Sequence, residues 1–277
     1  MKLAGSFALL LFCHFSFSQI IVTGVIKDGD TKQVVPFASV GVAGANYGAL
    51  ADQDGKFKLT LRNSSDSVLR ISSIGYNSLV VAANLFKASN DQTFLLKPEA
   101  YTLNEVKVNA NDKEFKTFGT VKYSKDICTA FSGENSNWLG EQAAVQANHK
   151  EGYIVYLESF GFYIIKNLYT DSLRFRIMLY EADSRGYPGR TFLKKPIVFK
   201  TNVKQGEVRI DLRDYYISTD KDFFISLECL EEKMEASKFC FAGSIKVPSF
   251  VKTTPFANWI RVKGGGGDFN VRVYYTK

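Results

Sequence analysis

Histidine is almost missing from this sequence, and that limits the chemistry its residues can do. The 277 residues include two, His14 and His149. A Ser-His-Asp or Cys-His site needs an imidazole to take the proton of the nucleophile. His14 lies in a leader-like segment, so such a site would have to use His149. Its surroundings, Ala147-Asn148-His149-Lys150-Glu151-Gly152, read as a solvated turn between strands. There is no Gly-x-Ser-x-Gly elbow, no His-Glu-x-x-His pair and no Walker loop. Carboxylate pairs could still cleave a glycoside. Glu228, Glu231 and Glu232 cluster near a predicted strand end, and Glu158 and Glu181 fall on predicted strands. With 28 acidic residues in the chain, however, such clusters also arise on any charged sheet face. Asp52-x-Asp54-Gly55 begins like a calcium loop but lacks the third acidic ligand and the distant bidentate Glu. It reads as a hairpin turn. The residues call for no catalytic group, no metal and no cofactor.

Aromatic side chains are the better lead. Sugar rings present apolar C–H faces that stack on flat aromatic surfaces, while polar groups at the rim fix orientation. Trp138 ends the polar stretch Glu134-Asn135-Ser136-Asn137-Trp138. Tyr187 sits in the turn Gly186-Tyr187-Pro188-Gly189, and Trp259 follows Asn258. Tyr215 and Tyr216 follow a charged strand end. Trp138, Tyr187 and Trp259 are the candidate ligand-binding residues, with core or edge packing as the competing role for each.

After the leader, the cysteines are Cys128, Cys229 and Cys240. An odd count leaves at least one without an intramolecular partner. Cys229 and Cys240 are the candidate disulfide. If Phe223–Leu230 and Lys238–Ala242 form a hairpin with Leu230 opposite Phe239, the two cysteines face each other. The alternative is three buried thiols packing as small hydrophobes.

The elements that must position these residues read as strands. Hydrophobic residues make up 45% and charged residues 23%, with 23 Phe and 14 Tyr, a composition that favours a packed sheet protein. From Ile20 to Lys97, short strands alternate with turns: Ile20–Lys27, Ala38–Ala43, Lys56–Leu61, Val68–Ser72, Leu79–Val81 and Thr93–Leu96. In Lys56–Leu61 the residues Phe57, Leu59 and Leu61 share one face, and Lys56, Lys58 and Thr60 the other. A single helical turn is possible near Asn84–Ala88. Residues 99–116, with Pro98 before them and Asn-rich turns within, read as a linker that includes a short strand at Val106–Val108. A second β-rich pattern fills residues 117–277. Leu173, Phe175, Ile177 and Leu179 alternate with Arg174, Arg176, Met178 and Tyr180. Val208, Ile210 and Leu212 alternate with Arg209, Asp211 and Arg213. Phe223–Leu230 reads as a central strand. Trp259–Val262 and Asn270–Tyr275 come last, with Gly264 to Gly267 as a flexible turn between them.

Four motifs occur in order: Val22-Thr23-Gly24-Val25, Val35-Pro36-Phe37-Ala38-Ser39-Val40, Asp52-Gln53-Asp54-Gly55-Lys56-Phe57 and Ile71-Ser72-Ser73-Ile74-Gly75-Tyr76. Together they resemble the carboxypeptidase regulatory-like domain, a transthyretin-like β-sandwich. Leu103-Asn104-Glu105-Val106-Lys107-Val108 is similar to the segment that ends such domains in exported proteins of the Bacteroidetes, where they often precede the plug of an outer-membrane receptor. The resemblance covers residues 20–110 and implies an accessory module with no catalytic residues to carry over. Phe175 to Glu181, Gly186-Tyr187-Pro188-Gly189 and Val208 to Leu212 resemble an uncharacterised jelly-roll module of exported Bacteroidetes proteins. The expected fold is therefore all-β: a transthyretin-like β-sandwich at residues 19–98, then a jelly-roll-like β-sandwich at 117–277. Asp66-Ser67-Val68 and Asp171-Ser172-Leu173 resemble the O-glycosylation acceptor pattern of Bacteroidetes.

Residues 1–18 read as an export signal. Lys2 leads an apolar run from Leu3 to Phe17, and Ser16 and Ser18 stand before Gln19 as small residues at a cleavage site. As a helix at ~1.5 Å per residue, that run reaches about 22 Å, short of the ~30 Å hydrocarbon core. No later run has the length to span a membrane. The formal charge of +7 is spread along the chain without a basic block, which gives no support to nucleic-acid binding. These features together predict a non-enzymatic exported binding or scaffold protein of the bacterial cell envelope, in the periplasm or at the outer surface. Its partner would be an envelope protein, such as an outer-membrane receptor or transporter, or a glycan held by loop aromatics. A glycoside hydrolase is the weaker alternative.

Overall fold

The computed structural model describes residues 20–42, 45–61, 68–82, 92–100, 113–131, 138–148, 153–245, 247–264 and 266–276. The leader at 1–18, the helical turn at 84–88, the strand at 106–108, His149 and Ser67 lie outside the described residues. The described elements are almost entirely strands.

The first unit contains β1 (Ile20–Asp28), β2 (Ser39–Val42), β3 (Gly48–Leu50), β4 (Lys56–Leu61), β5 (Val68–Ser72), β6 (Leu79–Ala82) and β7 (Thr93–Leu96). One sheet runs β4-β1-β7, with β1 antiparallel to β4 and parallel to β7. The other runs β3-β2-β5-β6 and is antiparallel throughout. The alternation in β4 works as predicted: Phe57, Leu59 and Leu61 are buried while Lys56, Lys58 and Thr60 face water. The turn before it is set by Asp52, whose Oδ1 accepts the N–H groups of Asp54 at 2.8 Å and Lys56 at 2.9 Å. Gly55 takes φ +70° there. Val22, Ile26, Val40, Phe57, Leu69, Ile71 and Phe94 fill the core between the sheets.

The second unit contains β8 (Lys113–Gly119), β9 (Cys128–Thr129), β10 (Gln142–Ala147), β11 (Val155–Asn167), β12 (Leu173–Ala182), β13 (Pro188–Thr191), β14 (Ile197–Thr201) and β15 (Gly206–Asp211). It continues with β16 (Ser218–Thr219), β17 (Phe223–Cys229), β18 (Phe239–Ser244), β19 (Ser249–Lys252), β20 (Ile260–Val262), β21 (Gly266–Gly267) and β22 (Phe269–Thr276). A seven-stranded sheet runs β13-β12-β17-β10-β19-β20, with β14 also on β12. An eight-stranded sheet runs β21-β18-β11-β22-β8, with β15 and β16 on β11 and β9 on β18. Phe160, Phe162, Phe175, Phe223, Phe239 and Phe269 are fully buried in the core of this unit. Residues 113–116, expected within the linker, are instead the start of β8, which pairs with β22.

Of the residues that alternate with the apolar ones in β12, Arg176, Met178 and Tyr180 are buried as well, Arg176 against the Phe37 carbonyl of the first unit and Tyr180 against Trp259. Two further expectations are corrected. Cys229 and Cys240 do not share a hairpin. β17 and β18 follow one another in sequence but enter different sheets. Cys240 pairs with Cys128 on the neighbouring β9, at a Cα–Cα distance of 5.6 Å, and Cys229 is a buried free thiol. The glycine run is no loose turn either. Gly266 and Gly267 form β21 against Ser244 and Gly243, and a Cβ on Gly266 would overlap the Ser249 side chain. Gly265 lies outside the described residues.

Candidate functional site

A cleft of about 480 Å³ opens between the turn that joins β12 to β13 and the loop leading into β20. Asp183, Arg185, Tyr187, Asn258 and Trp259 line it. Two of the three predicted aromatics thus meet at one site from distant parts of the sequence.

The first wall is set by Asp183. Its Oδ1 accepts the N–H groups of Arg185 and Tyr187, each at 2.9 Å. Its Oδ2 accepts Arg185 Nε at 3.1 Å and Nη2 at 2.8 Å. Gly186, at φ +74°, lets the chain reverse. The Tyr187 N–H and then the Arg185 side chain hold the Asp183 carboxyl below the usual carboxylate range. The Tyr187 ring packs edge-on against Phe250 at 5.2 Å, and the exposed Arg185 guanidinium lies over it at 5.5 Å.

In the second wall, Trp259 stands half-buried and edge-on to Tyr180, with ring centroids 5.4 Å apart. Lys252 Nζ lies 4.9 Å from the Trp259 ring centroid and 5.6 Å from that of Tyr180. Burial pulls the Lys252 ammonium down to about 8, with nearby Glu228 opposing the shift and Arg176 adding to it.

Behind Tyr180 runs a buried polar network. Tyr180 Oη donates to Gln142 Oε1 at 2.6 Å, and Gln142 Nε2 donates to Glu228 Oε1 at 3.1 Å. Arg176 Nε donates to Glu228 Oε2 at 2.6 Å, and its Nη1 donates to the Phe37 carbonyl at 2.9 Å. Burial first, and Glu228 second, push the Tyr180 phenol up. This network ties the cleft wall to the first unit. Sequence reasoning missed it because its members lie on separate strands that only the register brings together.

Residues 22–108 match the family model described as CarboxypepD_reg-like domain. This segment of the chain is a CarboxypepD_reg-like domain. Its Phe37 and Leu50 form an apolar cluster with Leu230 of the second unit, and Leu139 packs against them. Gln53 of the same domain accepts a hydrogen bond from Arg174. No curated protein matches the chain in sequence. The solved structures that align with it include the T13 IBDV viral particle at 8% identity and the infectious bursal disease virus Gx strain at 9%. The alignments cover 93% and 92% of this chain but 58% and 59% of those chains, each with a TM-score of 0.26. A likeness at that level carries nothing about fold or function.

The other sequence candidates lie elsewhere. Trp138 is not at the cleft. It is 2% exposed and packs against Phe131 and Phe239 in the core, so it is corrected from a loop aromatic to a core residue. Tyr216 is fully on the surface but is not among the cleft residues. Four of the five carboxylates considered for glycoside cleavage sit in ion pairs. Glu228 pairs with Arg176, Glu231 with Arg174, Glu158 with Arg272 and Glu181 with Lys221. Glu232 is exposed, and so is Ser172.

Proposed function

We propose that this chain is a non-enzymatic, exported binding protein of the bacterial cell envelope. Its second unit, a jelly-roll-like module of the kind found in exported Bacteroidetes proteins, holds a glycan in the Tyr187–Trp259 cleft. The CarboxypepD_reg-like domain fits an accessory role beside an outer-membrane receptor or transporter. The observation that carries this reading is the convergence of Tyr187 and Trp259 on one open cleft, with Arg185 and Asn258 at its rim. Aromatic faces take the C–H faces of a sugar, and rim donors take its hydroxyls. Asp183, the carboxylate among the lining residues, has both oxygens engaged within its own turn and is unsuited to proton transfer. Export is supported by the leader-like residues 1–18 and by the Cys128–Cys240 disulfide, a bond that persists in oxidising compartments.

A glycan array followed by titration of tryptophan fluorescence tests the reading. Tyr187→Ala and Trp259→Ala should each weaken binding at least about tenfold, or ~1.4 kcal/mol. No response to any polysaccharide would remove the glycan and leave an envelope protein as the partner.

A further inference from the structure

The loop that carries Trp259 has a second anchor. Between β19 and β20, the Ala257 N–H donates to Thr254 O at 3.1 Å, closing a turn with Pro255 and Phe256 at its tip. Proline at the second position of such a turn fixes φ before the turn closes. The tip reaches into the CarboxypepD_reg-like domain. Gly41 of β2 and Gly48 of β3 stand directly opposite each other, and their missing side chains leave a slot. The Phe256 ring fills it: a Cβ on Gly41 would overlap the ring, and one on Gly48 would lie 2.8 Å from Phe256 Cδ2. A ring laid over strand glycines supplies packing that they lack. Pro255 is held as well, since a Cβ on Gly140 would lie 3.0 Å from Pro255 Cδ and 3.5 Å from Leu50 Cβ. The chain then runs through Ala257 to Asn258 and Trp259 in the cleft wall.

We propose that Phe256 is a positioning residue. Docked in the Gly41–Gly48 slot, it holds the limb from Ala257 to Trp259 so that the CarboxypepD_reg-like domain sets the geometry of a cleft it does not line. Three residues of extended chain span only about 10 Å, so movement at the tip passes directly to Trp259. The inner anchor, Tyr180 and Lys252, touches one part of the ring. The outer anchor fixes the backbone that carries it. The functional meaning of this coupling rests on the glycan reading, but the coupling itself does not.

The test uses no ligand, so failure of the glycan reading leaves its result untouched. The chain contains two tryptophans, so Trp138→Phe makes Trp259 the sole indole fluorophore. In that full-length background, Phe256→Ala should shift Trp259 emission to the red and raise its quenching by acrylamide. Gly41→Val, which fills the slot from the other side, should do the same. Phe256→Leu, which keeps an apolar plug, should fall between and supplies the readout if the alanine variant does not fold. Trp259 emission and quenching unchanged in any of these variants that still melts cooperatively would overturn the proposal.

Discussion

Lys252 sits where an ammonium group is poorly solvated, under two rings and with 8% of its surface exposed. In an unfolded chain its proton leaves near 10.5, and in the folded protein near 8. Between those values the unfolded chain binds the extra proton, so rising pH favours the folded state. Above about 10 the raised phenol of Tyr180 acts in the opposite direction. The stability difference between wild type and Lys252→Met should therefore move in favour of wild type from pH 8 to pH 10, read from urea midpoints. A difference that stays flat would mean that the amine reaches water. At this scale the sequence was partly legible. Tyr187 and Trp259 stood out because glycine, proline and asparagine beside them mark loops. Trp138 misled because polar neighbours do not decide which way a ring turns. The network of Gln142, Arg176 and Glu228 gave no signal, although Glu228 stood out within an acidic cluster, since a buried charge pair looks like a surface pair until the strands are aligned.

At the scale of elements, local patterns were read well and crossings were not. The alternation in β4 predicts both its ends and its buried face. The β17–β18 pairing failed because proximity in sequence suggests a hairpin, whereas this connection passes from one sheet to the other. The glycine run shows a related limit. Composition marks Gly266 as flexible, but it is a tight approach against Ser249. Gly266→Ala should lower stability by about 1–3 kcal/mol through overpacking. Gly186→Ala meets open space and is strained only by φ +74°, so it should melt closer to wild type. Thermal melts of the two variants make the comparison, and equal losses would argue against a packed Gly266.

For the whole molecule, the all-β class and the CarboxypepD_reg-like domain were legible, because turn motifs in fixed order specify a sandwich. How the two units meet was not, since no motif encodes the fit of Phe37, Leu50 and Leu230. The covalent framework is equally non-local. Cys128 and Cys240 are 112 residues apart, so their bond closes a large loop and constrains the unfolded chain. Peptide mapping without reductant should recover Cys128 joined to Cys240, with Cys229 labelled only after denaturation, as suits a thiol pushed up by burial. Replacing Cys128 and Cys240 by serine should cost about 2–5 kcal/mol in chemical denaturation. A Cys229-containing bridge would refute this arrangement.

The slot between Gly41 and Gly48 has a consequence in time as well as space. Its walls, Gly41 and Gly48, are synthesised well before Phe256, the ring that plugs it. Throughout that interval the nascent amino-terminal sandwich bears an open apolar seam. A holding chaperone could recognise that seam, and any product interrupted before Phe256 would keep it exposed.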